Sequence, residues 1–587
     1  MKKGKNSTIQ LLAFMIAVLV VGAGCINQEE EIGEPTITAA PEGPIFGGTY
    51  IEAMADDVQF LDPTRTSTRA SIYAMRTLYD SLVVYDDDMT IQPSLAESWT
   101  VSEDGLKYTF RLRKDVKFHC GEPFTSEAVK YTIDKIMDPE EHSPIAYLYQ
   151  EIESVETPDD YTVVINLEVP NALLLENLAH FNFGLIICPK CSEQYGDDFG
   201  VTKVCGTGPF RFESWTPGSR LTVVKNEEYT WGPSCRSNIG PAYLDKIVWR
   251  IVPEEATRLI ELESGNIDLA RDISPESLVE LVEAEGVDPL LYTPLNNWWY
   301  CFRIKEGTER TPLTKDTNIR KAVDYAIDKQ GMINSFMPGA ILADSWLHPN
   351  VWGYDPKIKE YVRPYDPEKA KELLEEAGWI DTNGNGIRDK DGKELVLKCM
   401  TLSRTTWQNI CTKTQYDLSQ VGIKMDIEIY DSASFFSLAT KGNWDMYLMN
   451  YRFSNADILY YQFHSSQAPA PNRIPWEDPE TDRVLGLTRS STDPQERLEA
   501  YFWVQKMALE SCLTANLFYE KGIFGASDKL HISSVHPSEE LDSYIEIWKE
   551  TSSSHVILPS MFLTGICLIL IAELTGLSVF DLLFKIG

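Results

Sequence analysis

A short segment of this chain combines oxygen-bearing side chains and glycines in the spacing of a calcium loop. It is the segment 381–392, DTNGNGIRDKDG. Gly386 permits the turn, and the oxygens that would face an ion come from Asp381, Asn383, Asn385, the Ile387 carbonyl and Asp389. Gly392 stands where a bidentate glutamate is expected, so Asp391 is the nearest acidic replacement. Two interpretations stay open: a structural calcium site, or a polar turn between a helix and a strand.

Cysteine spacing gives a second and weaker metal signal. Cys188 and Cys191 form a CxxC pair, and Cys205 follows fourteen residues later. The chain has no second CxxC pair and no HxxxH pair that would complete a zinc knuckle. Apart from Cys25 and Cys567, nine cysteines remain, an odd number that cannot all pair as disulfides. For an exported protein, disulfides or buried thiols are favoured, and metal binding and redox chemistry remain as alternatives.

Common catalytic motifs are missing from the sequence. It contains no GxSxG nucleophile elbow, no HExxH zinc motif and no GxxxxGK[ST] phosphate loop. Carboxylates are so abundant, with 88 Asp and Glu, that a pair of them carries no specificity. His119 and His464 are more simply explained as structural groups. We therefore expect that the protein is not an enzyme and requires no cofactor.

Length and charge restrict the size class and the partners. With 587 residues the chain is too long for one core, which predicts two or three domains. A hydrophobic content of 43% and an aromatic content of 11% exclude a globally disordered chain. The formal net charge of −35 makes nucleic acid and anionic membrane surfaces poor partners.

The elements that must position functional groups are clearest in residues 95–129, LAESWTVSEDGLKYTFRLRKDVKFHCGEPFTSEAV. Asp104-Gly105 predicts a tight turn, and residues 107–113 alternate polar and apolar like a half-buried strand, with 116–118 as a short partner. Thr125, followed by Glu127 and an apolar period, predicts a capped helix. A hairpin followed by a helix is typical of many α/β domains.

The amino-acid sequence of that segment also resembles the motifs of one protein family. LAESW, SEDGLKYTFRLR and VKFHCGEPFTSEAV resemble the signature of family 5 solute-binding proteins, the extracytoplasmic receptors of peptide and nickel ABC importers. The resemblance continues in order through GTGPF at 206–210, LESGNID at 262–268, IRKAVDYAIDK at 319–329 and YDPEKAKELLEEAGW at 365–379. It covers about residues 47–519. One departure is Cys120, which stands where the family usually has Asp.

The resemblance implies an α/β protein with the type II periplasmic-binding fold, which has two lobes and an extra subdomain in lobe one. Lobe one is expected at residues 46–295 with the subdomain at about 83–200, lobe two at 296–514, and a return to lobe one at 515–550. The chain would cross between the lobes near Leu295-Asn296 and near 514–517. A solute bound between the lobes would favour the closed form because it contacts both.

Both ends of the chain predict targeting or anchoring. A basic start and an apolar stretch lead to VGAGC, which resembles a lipobox ending at Cys25. We expect a signal peptide at 1–24, lipid on Cys25 and a tether at 25–45, with an uncleaved membrane anchor as the alternative. Residues 551–587 are a linker and an apolar segment, interpreted as a second anchor, an interfacial helix or an aberrant end.

The resemblance also implies where a solute is held. Trp298, Trp299 and Tyr300 lie at the first crossing, where relatives place an aromatic residue against the solute, and strand alternation requires at least one of them to be core. The second group of candidates is Tyr451, Arg452, Phe453, Ser454 and Asp457. Ser454 stands where peptide binders place the Asp that holds the free amine of the ligand. With Arg452 expected beside it, recognition of a blocked or anionic ligand is favoured.

These features predict a substrate-binding lipoprotein of an ABC importer. It would capture peptides or a similar oligomeric solute as a monomer anchored to the outer face of the cell membrane. It would then deliver the solute to permease and ATPase subunits. The alternative is a non-transport surface sensor or scaffold that retains the solute-binding fold. Neighbouring genes for permease and ATPase subunits would distinguish the two.

Overall fold

The computed structural model of the protein describes residues 43–180, 184–533, 535–536 and 544–550. The predicted signal peptide, Cys25, the tether as far as residue 42 and the C-terminal segment 551–587 lie outside the described residues. Of the helices in the described ranges, none is both long enough and apolar enough to cross a bilayer. The described chain forms two lobes, each built around its own mixed β-sheet.

Lobe one is centred on β1, which pairs in parallel with the strands on both sides of it. Parallel neighbours need crossover connections, so the chain leaves and re-enters this sheet repeatedly. The order across the sheet is β12-β21-β11-β1-β10-β9-β8. Its strands are β1 (Thr49–Met54), β8 (Phe210–Thr216), β9 (Arg220–Lys225), β10 (Lys246–Ile251), β11 (Leu269–Ala270), β12 (Val287–Tyr292) and β21 (Gly522–Ser527).

A subdomain interrupts lobe one between β1 and β8. Its antiparallel sheet has the order β4-β5-β7-β6, and a short β2-β3 pair lies before it in the chain. In β5 buried residues alternate with more exposed ones, as expected for a strand with one face on a core. These strands are β2 (Val83–Tyr85), β3 (Ile91–Pro93), β4 (Ala96–Val101), β5 (Lys107–Leu112), β6 (Ile152–Asp159) and β7 (Thr162–Leu167).

The hairpin at Asp104-Gly105 pairs different strands from those predicted. Gly105 has φ +69°, a conformation that glycine adopts without strain, and the turn joins β5 to β4. The tight turn therefore closes onto the residues before it, and the prediction of residues 116–118 as the partner is wrong. Within that segment Lys117 forms only an isolated bridge, to Pro123.

Lobe two has a sheet of order β14-β20-β13-β19-β17-β18. Strands β13 and β20 are buried along their whole length, as expected of central strands covered on both faces. The strands are β13 (Asn296–Phe302), β14 (Ile341–Leu342), β17 (Val396–Leu402), β18 (Lys424–Tyr430), β19 (Met446–Arg452) and β20 (Thr514–Tyr519). Two small pairs complete the strands: β15 (Asp389–Lys390) with β16 (Lys393–Glu394), and β22 (Leu530–His531) with β23 (Trp548–Lys549).

Helices cover these sheets, and three of the described α-helices begin at an Asp-Pro dipeptide. At Asp366, Asp478 and Asp493 the side chain caps the helix by accepting a backbone N–H, and proline occupies the first turn. The α-helices are α1 (Arg69–Leu78), α2 (Ser126–Met137), α3 (Leu174–Ala179), α4 (Pro189–Tyr195), α5 (Glu255–Glu263), α6 (Leu278–Glu283), α7 (Thr317–Ala326), α8 (Lys329–Phe336), α9 (Pro367–Glu376), α10 (Thr405–Ser419), α11 (Ser432–Lys441), α12 (Ile458–Phe463), α13 (Pro479–Ser490) and α14 (Pro494–Glu510).

Two crossings join the lobes. The first lies at residues 293–295, between β12 of lobe one and β13 of lobe two, beside the predicted Leu295-Asn296. The second lies at Glu520-Lys521, after β20, and not at the predicted 514–517. β20 is a fully buried strand between β13 and β14, so it belongs to the core of lobe two. Lobe two therefore extends to residue 520.

Candidate functional site

The lobes face each other across a cleft, and one cavity in it, which we call the hinge cavity, lies beside the two crossings. Its volume is about 500 Å³, within the range of small-molecule sites. Lobe one and lobe two both contribute to its walls. From lobe one come Arg69, Asp272, Ile273, Pro275, Tyr292 and Lys521–Ile523, and from lobe two Asn296, Trp298, Met337, Arg404–Trp407, Asn450–Arg452 and Glu520.

A second space, the outer cavity, lies between the subdomain of lobe one and lobe two. Its volume is about 870 Å³. The subdomain side is the β2-β3 turn and α3, and the lobe-two side is the segment 349–354 with the start of α14. Its lining residues are Tyr85, Asp87–Ile91, Ala172, Leu175, Glu176, Pro349–Tyr354, Ser454, Pro494, Arg497 and Leu498. A solute that filled either cavity would contact both lobes.

Trp298, one of the predicted aromatic residues, lies in the wall of the hinge cavity. Its indole N–H donates to the Glu520 carboxylate at 2.7 Å, and its ring centroid lies 4.9 Å from that of Trp407. Trp298 is on the first strand after one crossing, and Glu520 lies in the other crossing. The bond therefore ties the two crossings together on the floor of the cavity. Trp298 is only 3% exposed, so it would offer an edge of its ring to a ligand.

Trp299 points to the opposite face of the sheet and belongs to an aromatic cluster. Its ring centroid lies 4.2 Å from Trp346 and 5.9 Å from Tyr451, and Phe453 lies 5.5 Å from Tyr451. The gap among these rings has a volume of about 10 Å³, too small for a solute. Trp299 and Phe453 line neither interlobe cavity, whereas Tyr451 also reaches the hinge cavity. Of these three predicted contacts, only Tyr451 is placed to meet a ligand.

Tyr300 lies in the core of lobe two, away from the cleft. It is 0% exposed, and its hydroxyl donates to the Thr414 hydroxyl at 2.9 Å, beneath α10. Trp298 and Tyr300 share one face of β13, but Tyr300 lies about 7 Å further along the strand. The prediction that Tyr300 contacts the ligand is therefore wrong: alternation separates Trp299 from the other two residues, and depth along the strand places Tyr300 in the core.

Arg452 and Ser454 face different cavities although they are two residues apart. Arg452 ends β19 and lines the hinge cavity, in which Arg69, Arg404 and Lys521 also lie. Ser454 comes after the strand has ended and lines the outer cavity. The expectation that Arg452 adds positive potential beside Ser454 is therefore wrong, because the chain turns between them.

Asp457 is buried where the two lobes meet and lines neither cavity. It is 4% exposed, and its carboxylate lies 3.3 Å from the guanidinium of Arg489. Burial raises the pKa of Asp457 to about 7; Arg489 opposes the rise, and the nearby carboxylates Glu176 and Glu151 add to it. Its position makes Asp457 a structural group of the lobe interface, so the prediction of a ligand contact is wrong for this residue.

Two ion pairs between the lobes were missed from the sequence. Arg497 of α14 pairs with Glu176 of α3 at 3.0 Å, and Arg489 of α13 lies 3.8 Å from Glu151 of the subdomain. The backbone N–H of Ala172 also donates to the Arg489 carbonyl at 2.8 Å. Arg497 and Glu176 are 321 residues apart, and no local spacing rule connects such partners. Both line the outer cavity, so this pair closes one rim of the cleft.

The loop 381–392 holds itself by hydrogen bonds from side-chain oxygens to its own backbone. The Asp381 carboxylate accepts the N–H groups of Gly384 and Gly386 at 2.8 and 2.9 Å. Asn383 accepts the N–H of Asn385 at 3.0 Å, and Asn385 accepts that of Ile387 at 2.8 Å. Such bonds are made by a polar turn and also shape a metal loop, so a calcium ion here stays a prediction.

Asp389 and Asp391 occupy the hairpin that follows. The Asp389 carboxylate accepts from the backbone N–H and hydroxyl of Thr382 at 2.9 and 2.8 Å. Asp391 and Gly392 have φ of +52° and +73° and form the two-residue turn between β15 and β16. This is the turn that an Asp-Gly dipeptide favours, so the position of Asp391 is explained without a metal. Its role as a ligand stays a prediction.

Comparison with known proteins identifies a family. The family model described as bacterial extracellular solute-binding proteins, family 5 middle, matches residues 90–470. The oligopeptide-binding protein AppA of Bacillus subtilis is 24% identical over 567 residues, which are 93% of this chain and 99% of that protein. The glutathione-binding protein GsiB of Escherichia coli is 28% identical over 490 residues, 82% of this chain and 90% of that protein.

A solved structure gives the same result for the fold. The structure of NikA from Brucella suis, in complex with Fe(III)-EDTA, superposes with a TM-score of 0.73 and 27% identity. The match covers 86% of this chain and 100% of that one. The similarity therefore extends over both lobes and the subdomain and is not limited to a single lobe.

Proposed function

This chain belongs to family 5 of the bacterial extracellular solute-binding proteins, and we propose that it captures peptides or a similar oligomeric solute for an ABC importer. The family model spans the subdomain, the first crossing and most of lobe two. The family binds solutes outside the cytoplasm and contains no enzymes, so the expectations of an extracytoplasmic, non-enzymatic protein are confirmed. The two-lobed type II fold predicted from the sequence is also confirmed.

The observation that supports solute capture is that both cavities are lined from both lobes. A solute held in them would bind the closed form through contacts that the open form lacks. It would therefore shift the population towards the closed form. A solute that reached from one cavity to the other would be oligomeric in length, since each cavity alone has the volume of a small-molecule site.

The hinge cavity favours a negatively charged group of the solute. Four basic side chains line it, Arg69, Arg404, Arg452 and Lys521, against the two carboxylates Asp272 and Glu520. Arg69 and Asp272 pair with each other at 3.1 Å. Glu520 already accepts the indole N–H of Trp298. The lining thus contains more basic than acidic side chains, which suits a carboxylate of the solute, such as a peptide C-terminus or an acidic side chain.

The outer cavity suits the less polar part of the same solute. Aromatic and aliphatic side chains dominate its walls, among them Tyr85, Trp352 and Leu498. Its charged side chains are Glu176 and Arg497, which pair with each other, and Asp87 and Asp88 at the β2-β3 turn. Solute side chains would gain most here by removing apolar surface from water.

We further propose that lipid on Cys25 anchors this receptor, as a monomer, to the outer face of the membrane, where permease and ATPase subunits receive the solute. The lipobox-like VGAGC and the preceding apolar stretch support this. A Cys25→Ser variant should be released from membranes unless residues 556–587 also anchor it. Retention of a Cys25→Ser variant that also lacks 556–587 would contradict both anchors.

The decisive experiment identifies the solute that co-purifies with the protein by mass spectrometry and measures its binding to ligand-free protein by calorimetry. We expect a peptide or similar oligomeric solute carrying an anionic group. Arg404→Gln, in the hinge cavity, should weaken binding about tenfold, because a charge-assisted hydrogen bond contributes about 1.5–3 kcal/mol. Arg483→Gln, at an exposed pair outside both cavities, is the matched control. Equal affinities of the two variants would contradict the assignment of the hinge cavity.

A further inference from the structure

Four cysteines from three separate segments meet in lobe one. They are Cys120, Cys188, Cys191 and Cys205, and their sulfur atoms all lie within 4.8 Å of one another. Cys120 and Cys188, 68 residues apart, have sulfurs separated by 3.7 Å. Cys120 and Cys205 thus join the CxxC pair that the sequence indicated. No spacing motif in the sequence includes Cys120. The remaining described cysteines lie outside this cluster.

The backbone around the cluster is held independently of the sulfurs. Cys120 lies in a tight turn in which Gly121 N–H donates to Phe118 O at 2.8 Å. His119 N–H donates to Gly206 O, also at 2.8 Å, which holds that turn against the segment carrying Cys205. A side chain at Gly206 would meet the Leu78 carbonyl at 2.0 Å, so this segment packs directly on the end of α1. The sulfurs are therefore brought together by the fold itself.

Burial makes the cluster a closed site with one accessible side. Cys188, Cys191 and Cys205 are 1%, 3% and 3% exposed, whereas Cys120 is exposed. The backbone N–H of Ser192 donates to the Cys188 carbonyl at 2.9 Å, so the CxxC pair lies in the first turn of α4. Lys190, between the two cysteines, pairs with Glu122 of the Cys120 turn and places a positive charge beside the sulfurs. An ion could enter from the Cys120 side and would then be shielded.

The geometry matches a tetrahedral metal site. A Zn–S bond of about 2.3 Å places the sulfurs of a tetrahedral site about 3.8 Å apart. The Cys120–Cys188 separation of 3.7 Å agrees with this edge length. A disulfide would draw one pair to about 2.0 Å and leave the other two sulfurs apart or as a second pair. Mutual proximity of all four sulfurs is the arrangement that a single central cation requires.

We propose that Cys120, Cys188, Cys191 and Cys205 bind one zinc ion as a structural site. Four thiolates leave no open coordination position, so the ion is not expected to take part in solute binding. It would join the Cys120 turn, the start of α4 and the segment before β8, and so fix the subdomain to the central sheet of lobe one. Because the complete site exists only in the folded chain, metal affinity would add to stability.

Metal analysis of the full chain, purified without chelator, tests this proposal. We expect about one zinc per chain. Cys188→Ser and Cys205→Ser should each abolish binding, and Cys235→Ser, at a half-buried cysteine outside the cluster, should retain it. Cobalt should replace zinc and give the charge-transfer and ligand-field absorption of a tetrahedral thiolate site, and Cys188→Ser should lose this signature.

A measurement on the unaltered chain keeps the test decisive if a variant fails to fold. Stripping the metal should make the four cluster thiols reactive and lower the melting temperature by about 5 °C or more. Iron in place of zinc would overturn the proposal. So would a metal-free chain whose intact mass shows two disulfides among these four cysteines, or equal metal retention in Cys188→Ser and Cys235→Ser.

Discussion

Arg497 of lobe two and Glu176 of the lobe-one subdomain form an ion pair of 3.0 Å, with only 10% and 12% of their side chains exposed. Burial raises the pKa of Glu176 above its usual range, and Arg497 opposes that rise. The guanidinium also lies 4.5 Å from the ring centroid of Trp352 and donates to the Thr488 carbonyl at 2.9 Å. This pair therefore stabilises the closed arrangement of the lobes at the rim of the outer cavity.

Arg497→Gln should shift the protein towards an open form. The substitution leaves Glu176 buried without its partner, and breaking one half of a buried pair costs about 2–5 kcal/mol. In the open form water can solvate Glu176, so the closed form loses most. We expect at least a tenfold loss of solute affinity by calorimetry, since about 1.4 kcal/mol corresponds to tenfold. Small-angle scattering should show a larger radius of gyration.

The matched control for this prediction is Arg483→Gln, which breaks the exposed pair of Arg483 with Glu480. Exposed pairs contribute little to stability because water and salt screen them, so affinity and radius should stay unchanged. The double variant Arg497→Gln, Glu176→Gln should recover part of the loss, because no charge then stays buried. An Arg497→Gln protein with native affinity and native radius would show that the pair does not control closure.

Features that depend on local pattern were predictable from the sequence, and features that depend on distant packing were not. The family motifs predicted the two-lobed fold, and the aromatic run at Trp298 predicted the strand that leaves the first crossing. The second crossing was misplaced because Thr514–Tyr519 is a continuously buried strand whose lobe only sheet pairing reveals. The partners of Arg497 and of Cys120 lie 321 and 68 residues away, beyond the reach of any spacing rule.

Trp298 and Tyr300 should separate binding from stability. Trp298→Phe removes the bond to Glu520 at the hinge cavity, so solute affinity should fall several-fold, and the melting temperature should fall as well because Trp298 is buried. Tyr300→Phe removes a buried hydrogen bond to Thr414 and should destabilise lobe two by about 1 kcal/mol without changing affinity. Calorimetry and thermal denaturation on both variants measure the two effects. If Tyr300→Phe lost affinity and Trp298→Phe did not, the two roles would have to be exchanged.

Asp457 should make stability fall as pH rises. Its pKa is raised to about 7 in the folded chain, whereas an unfolded Asp has a pKa of about 3.9. Between these pH values the folded state binds more protons than the unfolded state. The contribution of this carboxyl to the free energy of unfolding is therefore complete below about pH 4 and is lost as the pH rises to about 7. A shift of three units corresponds to at most about 4 kcal/mol. The charged groups facing it are Arg489, Arg497, Glu151 and Glu176.

The Asp457→Asn variant isolates this effect from other groups that titrate. The free energy of unfolding, measured by denaturant at pH 5 and pH 8, should decrease less in the variant than in the unaltered protein. Asp426→Asn, at a half-exposed carboxylate paired with Lys424, provides the control and should leave the pH dependence unchanged. A variant with the same decrease as the unaltered protein would mean that Asp457 is already ionised at pH 5.

Calcium should raise the melting temperature if the loop 381–392 binds it, and a calcium chelator should reverse the increase. Asp381→Ala should abolish this response. The variant also loses the bonds to Gly384 and Gly386, so the comparison is the calcium-dependent shift and not the absolute melting temperature. Asp391→Asn tests the last ligand, because Asn tolerates the positive φ of this turn. Identical melting curves with calcium and with chelator would leave only a polar turn.

The final prediction concerns the amine end of the solute. Ser454 lines the outer cavity and provides no carboxylate, so a free peptide amine placed beside it would lack a charge-assisted hydrogen bond of about 1.5–3 kcal/mol. N-terminally acetylated peptides should therefore bind at least as well as free-amine peptides, and Ser454→Asp should improve binding of the latter about tenfold.

Asp445 cannot supply the carboxylate that position 454 lacks, because it is 0% exposed and accepts the Leu313 and Lys398 N–H groups. Calorimetry on matched peptides measures the difference. A clear preference for the free amine would contradict the prediction and direct attention to Asp87 and Asp88, the carboxylates of the β2-β3 turn that line the same cavity.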